Sequence, residues 1–309
     1  MAKRSIRHAF AEALIELAEQ YPNLVVLEAD LQDSTQSIQF KRRFPERHLQ
    51  MGVSEQNMTG VAVGLALSGK IPVTHTFACF QSMRAAEHVR TSVAYTRANV
   101  KLFVSHSGVS GGSAGTSHHA TEDIAIMRAI PNMTVVVPGD FTETKQAAKA
   151  VIEHVGPVYI RGSASDAEDV YGEGCLFQLG RATLLRDGQD ATIISTGTLM
   201  SEAVAAAQTL ATEGRSVRVL QMATVKPIDR DAVLRAASET GRIVTIEEHN
   251  VIGGLGSAVC EIVAQAGIGR VKVMGINDHF CGVGTGAYLL AEEGLTAEGI
   301  ASAVRTLIG

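Results

Sequence analysis

Glu55 stands just ahead of Met58-Thr-Gly-Val-Ala-Val-Gly-Leu-Ala66, a run of small and apolar residues suited to a close-packing helix. Farther along, Thr74-His-Thr-Phe-Ala-Cys-Phe80 places two aromatic rings, Phe77 and Phe80, three residues apart. A carboxyl that can share a proton with a ring nitrogen, beside aromatic faces that grip a flat heterocycle, could activate a bound heteroaromatic cofactor. A carboxyl held against an apolar ring keeps its proton more readily, which is the property such sharing needs. Each residue also has a plainer reading. A lone glutamate at a helix start favours the helix dipole, and paired phenylalanines often simply fill a core.

A second block with chemical potential is Ser105-His-Ser-Gly-Val-Ser-Gly-Gly-Ser-Ala-Gly-Thr-Ser-His-His-Ala-Thr-Glu-Asp123. Its glycines let backbone approach a ligand closely, and its imidazoles can bond hydroxyl or phosphate oxygens. His118, His119, Glu122 and Asp123 could be read as metal ligands, but adjacent histidines point differently, so no metal site is expected here. Gly253-Gly-Leu-Gly256 ahead of a helix could hold phosphate. It lacks the full dinucleotide fingerprint, and reads as close helix–strand packing.

The elements that position these residues follow from periodicity. Ile6, Ala9, Phe10, Ala13, Leu14, Leu17 and Ala18 recur at helical spacing, so residues 5–20 form a one-faced helix. Leu24–Ala29 is an apolar run of buried-strand length. The alternation continues as helix 58–68, strand 71–77, helix 82–96, strand 100–105, helix 122–129, strand 133–137, helix 141–153 and strand 157–161. Strands separated by helices imply an α/β fold with a doubly wound parallel sheet, whose ligands sit beyond the carboxyl ends of its strands. Asp30, Phe77, His106 and Arg161 all fall at such ends. A polar, glycine-rich stretch at 166–182 reads as a linker between a first domain, 1–165, and a second αβ domain, 183–309. In the latter, strands are expected near 190–195, 216–221, 242–246 and 271–274, with helices near 199–213, 254–266 and 296–307.

Composition agrees. The 309 residues, 46% hydrophobic and 19% charged, suit two packed domains. A net charge of −5 gives no basic footprint for nucleic acid or a membrane surface. Cys79, Cys175, Cys260 and Cys281 form no C-x-x-C pair, which fits reduced thiols in a cytoplasmic protein better than disulfides or zinc ligands. The N-terminus resembles no signal peptide, and no apolar run approaches the ~18 residues a membrane span needs.

With Glu55 in Gly-Val-Ser-Glu-Gln-Asn-Met, the Phe77 and Phe80 pair, and the His106 to His118 loop, the chain resembles the transketolase family. The resemblance spans essentially the whole chain, as a pyrimidine-binding (Pyr) domain followed by a C-terminal domain. It implies thiamine diphosphate as cofactor, Glu55 as the glutamate that acts on its aminopyrimidine, and Phe77 and Phe80 as ring-packing residues. It further implies that His106 and His118 handle substrate hydroxyls and that Asp30 lies near the cofactor. Arg7, Ser34 and Arg161 match positions that hold substrate phosphate. Two departures stand out: Met83 where tyrosine is common, and Ala114 where sugar-phosphate transketolases carry an aspartate that reads a hydroxyl.

The family's diphosphate-binding domain carries Gly-Asp-Gly, which this sequence lacks. The expectation is therefore a two-chain transketolase. A partner subunit would supply the diphosphate-binding domain and hold Mg2+, in an α2β2 heterotetramer, and the reaction would move a two-carbon ketol unit between sugars. The β subunit of a 2-oxoacid dehydrogenase and a deoxyxylulose-phosphate-synthase-like enzyme share much of this pattern. A non-catalytic scaffold is the remaining alternative.

Overall fold

A computed structural model of the chain describes residues 3–172 and 174–309. The first half is built on a seven-stranded sheet in the order 224–226, 134–136, 158–161, 101–105, 71–77, 24–28, 48–50. Every neighbouring pair is parallel except Thr224–Lys226, which runs antiparallel to Thr134–Val136. Strands Leu24–Glu28, Ile71–Phe77 and Lys101–Ser105 are buried along their whole length, as parallel strands covered on both faces must be. Helices Ile6–Gln20 and Phe141–Glu153 cover one face through Phe10, Leu14, Ala147 and Val151. Met58, Val93 and Ile124 cover the other.

The second sheet has five strands in the order 270–276, 242–250, 191–195, 217–221, 183–186, with only the last antiparallel to its neighbour. Helices Met200–Thr212 and Ala297–Ile308 pack on one face, and Arg230–Glu239 and Leu255–Ala266 on the other. The α/β, doubly wound reading thus holds, with parallel pairing dominant in both sheets.

Several local features differ from the sequence reading. The helix expected at 58–68 begins at Glu55, which puts that carboxyl in its first turn. The helix expected at 82–96 is instead two wide π-helical stretches, Phe80–Arg84 and Val89–Ala94, joined by one short turn. Such widened turns recur at functional sites because they re-aim side chains. The stretch expected as a linker is tied down. Asp166–Glu168 pairs antiparallel with Lys3–Ser5, and Asp140 Oδ2 accepts the N–H groups of Val170 and Tyr171, each at 2.9 Å. Strand Thr224–Lys226 crosses over from the second half to finish the first sheet, so the two halves interlock.

Candidate active site at the carboxyl ends of the first sheet

Strands Ile71–Phe77 and Lys101–Ser105 end side by side, with Phe77 in register with Ser105. The next residue, His106, adopts a left-handed backbone at φ 55°, a conformation that non-glycine residues hold only when their surroundings impose it. The turn lays its imidazole on the Phe77 ring, with centroids 3.8 Å apart and planes 25° apart. Phe80 stacks beside Phe77 at 5.7 Å. His118, from the far end of the glycine-rich loop, meets Phe80 edge-on at 5.4 Å and Phe77 at 6.1 Å. Four side chains separated by up to 41 positions therefore form one aromatic wall.

Glu55 reaches this wall through Arg84, a residue the sequence reading did not single out. The Glu55 side chain is fully buried, and Arg84 Nη1 donates to both carboxylate oxygens at 2.9 and 3.0 Å. The guanidinium also lies over Phe80, 4.2 Å from its centroid. The carboxylate is thus ion-paired and not held against apolar rings alone. For Glu55 to meet a ring nitrogen, Arg84 must release an oxygen, and a side chain 46% exposed can swing aside. A cation four residues past Phe80 in a helical run was the sequence signal available for it.

Burial pushes the His106 imidazole down to about 4, and the Arg7 and His118 charges add to the shift. At neutral pH it is therefore an uncharged ring, able to donate through one nitrogen and accept through the other. The stability tied to this neutral form is complete above the ordinary imidazole range and is lost as pH falls through that range toward 4. A proton-NMR titration is expected to place the His106 midpoint well below the ordinary imidazole value, near 4; a midpoint near the ordinary value of about 6.5 would contradict this.

The residues matched to phosphate binding do not all gather. Arg7 Nη1 donates to the Ser34 carbonyl at 2.7 Å and Nη2 to the Ala164 carbonyl at 2.9 Å. Its Nε is buried without a partner among the described residues. Arg161 is instead committed inside the protein. Its Nε donates to Asp123 at 2.8 Å, and Nη2 to the carbonyls of Ala120 and Glu248 at 3.1 and 2.8 Å. Only the bond to Glu248 crosses to the second domain, and with its side chain 4% exposed Arg161 offers little to a substrate. Asp30 is exposed at the end of the adjacent strand, left-handed at φ 64°. Its N–H donates to Gln50 Oε1 at 3.0 Å, above the buried Glu28 carboxylate that accepts from Leu31 and Gln50.

The glycine-rich loop is anchored to the second domain. Val109 N–H donates to Glu248 Oε1 at 2.8 Å, and a Cβ on Gly108 would sit 2.4 Å from that oxygen. Burial raises Glu248 to about 7. His119, left without a role by the sequence, is buried with Nε2 3.3 Å from the Gly112 carbonyl, where it closes the loop on itself. Asp123 Oδ2 accepts from Tyr159 and Arg161, and the ligand atoms of His118, His119, Glu122 and Asp123 do not cluster. Ala114 is exposed on the loop.

Residues 2–168 match the transketolase pyrimidine-binding domain, and residues 180–300 match the transketolase C-terminal domain. A Methanocaldococcus jannaschii protein, named provisionally as a transketolase C-terminal section, is 44% identical over 97% of this chain and 95% of its own length. A 6-deoxy-6-sulfo-D-fructose transketolase subunit of a Clostridium species is 42% identical over 96% of this chain and 92% of its own. Among solved structures, a split-gene transketolase described as an inactive β4 tetramer superposes with a TM-score of 0.91, at 42% identity and 99% coverage of both chains. The domain order, the extent of these matches and the converging side chains agree: the chain belongs to the transketolase family, of which it carries the pyrimidine-binding domain followed by the C-terminal domain.

Proposed function

We propose that this chain is the C-terminal subunit of a two-chain transketolase. With a partner subunit it would transfer a two-carbon ketol unit from a ketose donor to an aldose acceptor bearing an anionic end group. One observation carries the reading: a buried carboxylate, Glu55, and the Phe77, Phe80, His106 and His118 wall converge at the carboxyl ends of adjacent parallel strands.

This donor set fits thiamine diphosphate. Glu55 would face the ring nitrogen, Phe77 and Phe80 the flat ring, and Asp30 the nearby strand end. When bound, the cofactor supplies the electron sink for carbon–carbon bond cleavage and formation. His106, neutral and fixed against Phe77, and His118, with Nδ1 2.9 Å from Ser117 Oγ, would orient substrate hydroxyls and carry protons to and from them. We assign Mg2+ and the diphosphate to the partner's diphosphate-binding domain, in an α2β2 assembly. Support for a partner comes from the relatives matched almost end to end, which are named as a section and as a subunit. A cytoplasmic setting suits cysteines that are all free; among the described residues no helix is long and apolar enough to cross a membrane.

An anionic acceptor is supported by Arg7, whose buried Nε has no partner among the described residues, and by the sulfonated sugar in one relative's name. We place Arg7 and Ser34, without Arg161, at that end group. Arg7→Gln is expected to raise KM for the anionic acceptor by about 10- to 100-fold, the worth of one charged hydrogen bond, with kcat little changed. Equal losses on charged and uncharged acceptors would remove Arg7 from this role. The assignment as a whole is tested with both chains, thiamine diphosphate and Mg2+, by following glycolaldehyde transfer from hydroxypyruvate to a panel of aldose phosphates. Transfer that requires both chains is the expected result. Decarboxylation of other 2-oxoacids without transfer would move the chain to the dehydrogenase β-subunit class.

A further inference from the structure

We propose that His279, Cys281 and Glu293 form a divalent-metal site on the second domain, suited to Zn2+ or a similar borderline-soft ion. The proposal is independent of the ketol-transfer reading. His279 and Cys281 lie on the segment that follows strand Arg270–Ile276, and Glu293 caps helix Gly286–Glu292. One ligand atom from each lies within 4.8 Å of the other two. His279 Nε2 is 2.7 Å and Cys281 Sγ 3.8 Å from the same oxygen, Glu293 Oε1. Bonds of about 2.0–2.3 Å in a tetrahedral zinc centre put ligand atoms roughly 3.3–3.7 Å apart. Closing on an ion therefore needs side-chain adjustments of only about 1 Å.

The donor types select the ion class. Imidazole, thiolate and carboxylate together suit zinc, whereas magnesium and calcium take oxygen ligands. Cys281 is buried, while the His279 side chain is 50% exposed, so three protein ligands close the inner side and leave the outer position to water. The other Glu293 oxygen accepts the Asn277 N–H at 3.4 Å, which fixes the carboxylate's direction.

An ion here would act on the glycine-rich loop through its contacts with residues 281 and 284. The Cys281 carbonyl accepts from Thr116 Oγ1 at 3.0 Å. Gly112 is pressed so close to Gly284 that a Cβ would lie 2.6 Å from its carbonyl oxygen. Joining residues 279 and 281 to Glu293 would hold the wall against which the glycine-rich loop is seated. Cys281, Thr116 and His119 also line one cavity of about 410 Å³ on this side of the loop.

The test is a Co2+ titration of the full chain after metal is stripped from it. A saturable thiolate-to-cobalt absorption in the near ultraviolet, with strong visible bands, one ion per chain and displacement by Zn2+, is expected. Cys281→Ser should abolish the near-ultraviolet band, and His279→Ala should weaken binding by about tenfold or more. Cys260→Ser should change neither. Circular dichroism of each variant shows that it remains folded. Absence of saturable bands, or bands that survive in folded Cys281→Ser, would overturn the site and leave the three groups as a hydrogen-bonded loop anchor.

Discussion

Glu55→Gln is expected to remove ketol transfer, lowering kcat by about 10²- to 10⁴-fold, while leaving the chain folded and able to assemble. The amide keeps the size of the carboxyl but carries no exchangeable acid proton, so the exchange with a ring nitrogen fails. Folding survives because the damage falls on the accessible partner. Arg84 loses its anion, yet its side chain is already 46% exposed and can turn to solvent. The reverse substitution, Arg84→Met, would strand a fully buried carboxylate, the costlier half of such a pair to orphan. The check is turnover of the reconstituted two-chain enzyme beside a thermal melt of the variant chain. Normal turnover would sink the assignment of Glu55, whereas lost turnover with an unchanged melt is the predicted pattern.

Asp123→Ala is expected to have the largest effect on stability, about 3–5 kcal/mol, the cost of leaving one member of a buried ion pair without its counter-charge. Asp123 is completely buried, and the Arg161 side chain is only 4% exposed. Asp123 Oδ2 accepts from both Arg161 Nε at 2.8 Å and the Tyr159 hydroxyl at 2.7 Å. Burial, followed by the Asp123 charge, holds the Tyr159 phenol well above its usual range, so it remains a donor at all working pH values. Without Asp123 the guanidinium keeps only carbonyl partners, and one of those belongs to Glu248 in the second domain. Urea denaturation is expected to show the midpoint falling with no change of slope. Adding Arg161→Met to the Asp123→Ala chain should recover part of the loss, because the unpaired buried charge is then gone. A loss below about 1 kcal/mol would mean that water reaches the guanidinium and that the network is not the interdomain fastening it resembles.

Much of the fold was legible because its signals are local. The helix over residues 5–20 declares itself through an apolar stripe, and it forms as Ile6–Gln20. Fully buried strands such as Leu24–Glu28 appear as short apolar runs between turn residues. Two elements were missed because each is short and its buried side is narrow. Helix Arg230–Glu239 buries only Ala232, Val233, Ala236 and Ala237 along one narrow side, and strand Thr224–Lys226 is too short to show any period.

The sequence by itself determined the α/β class, the family, and the candidate residues Glu55, Phe77, Phe80, His106 and His118, because those features are carried by local patterns and by motifs that fold close to where they are written. Tertiary structure alone decided how they meet and what each is free to do. It placed Arg84 on Glu55, 29 positions away, and drew Arg161 off to Asp123 and Glu248. It also brought Cys281 and Glu293 to His279 across a helix. The physical reason is that a charged side chain takes the partner that best offsets its desolvation. Which partner lies within reach is set by strand order and register, which no local stretch of sequence encodes.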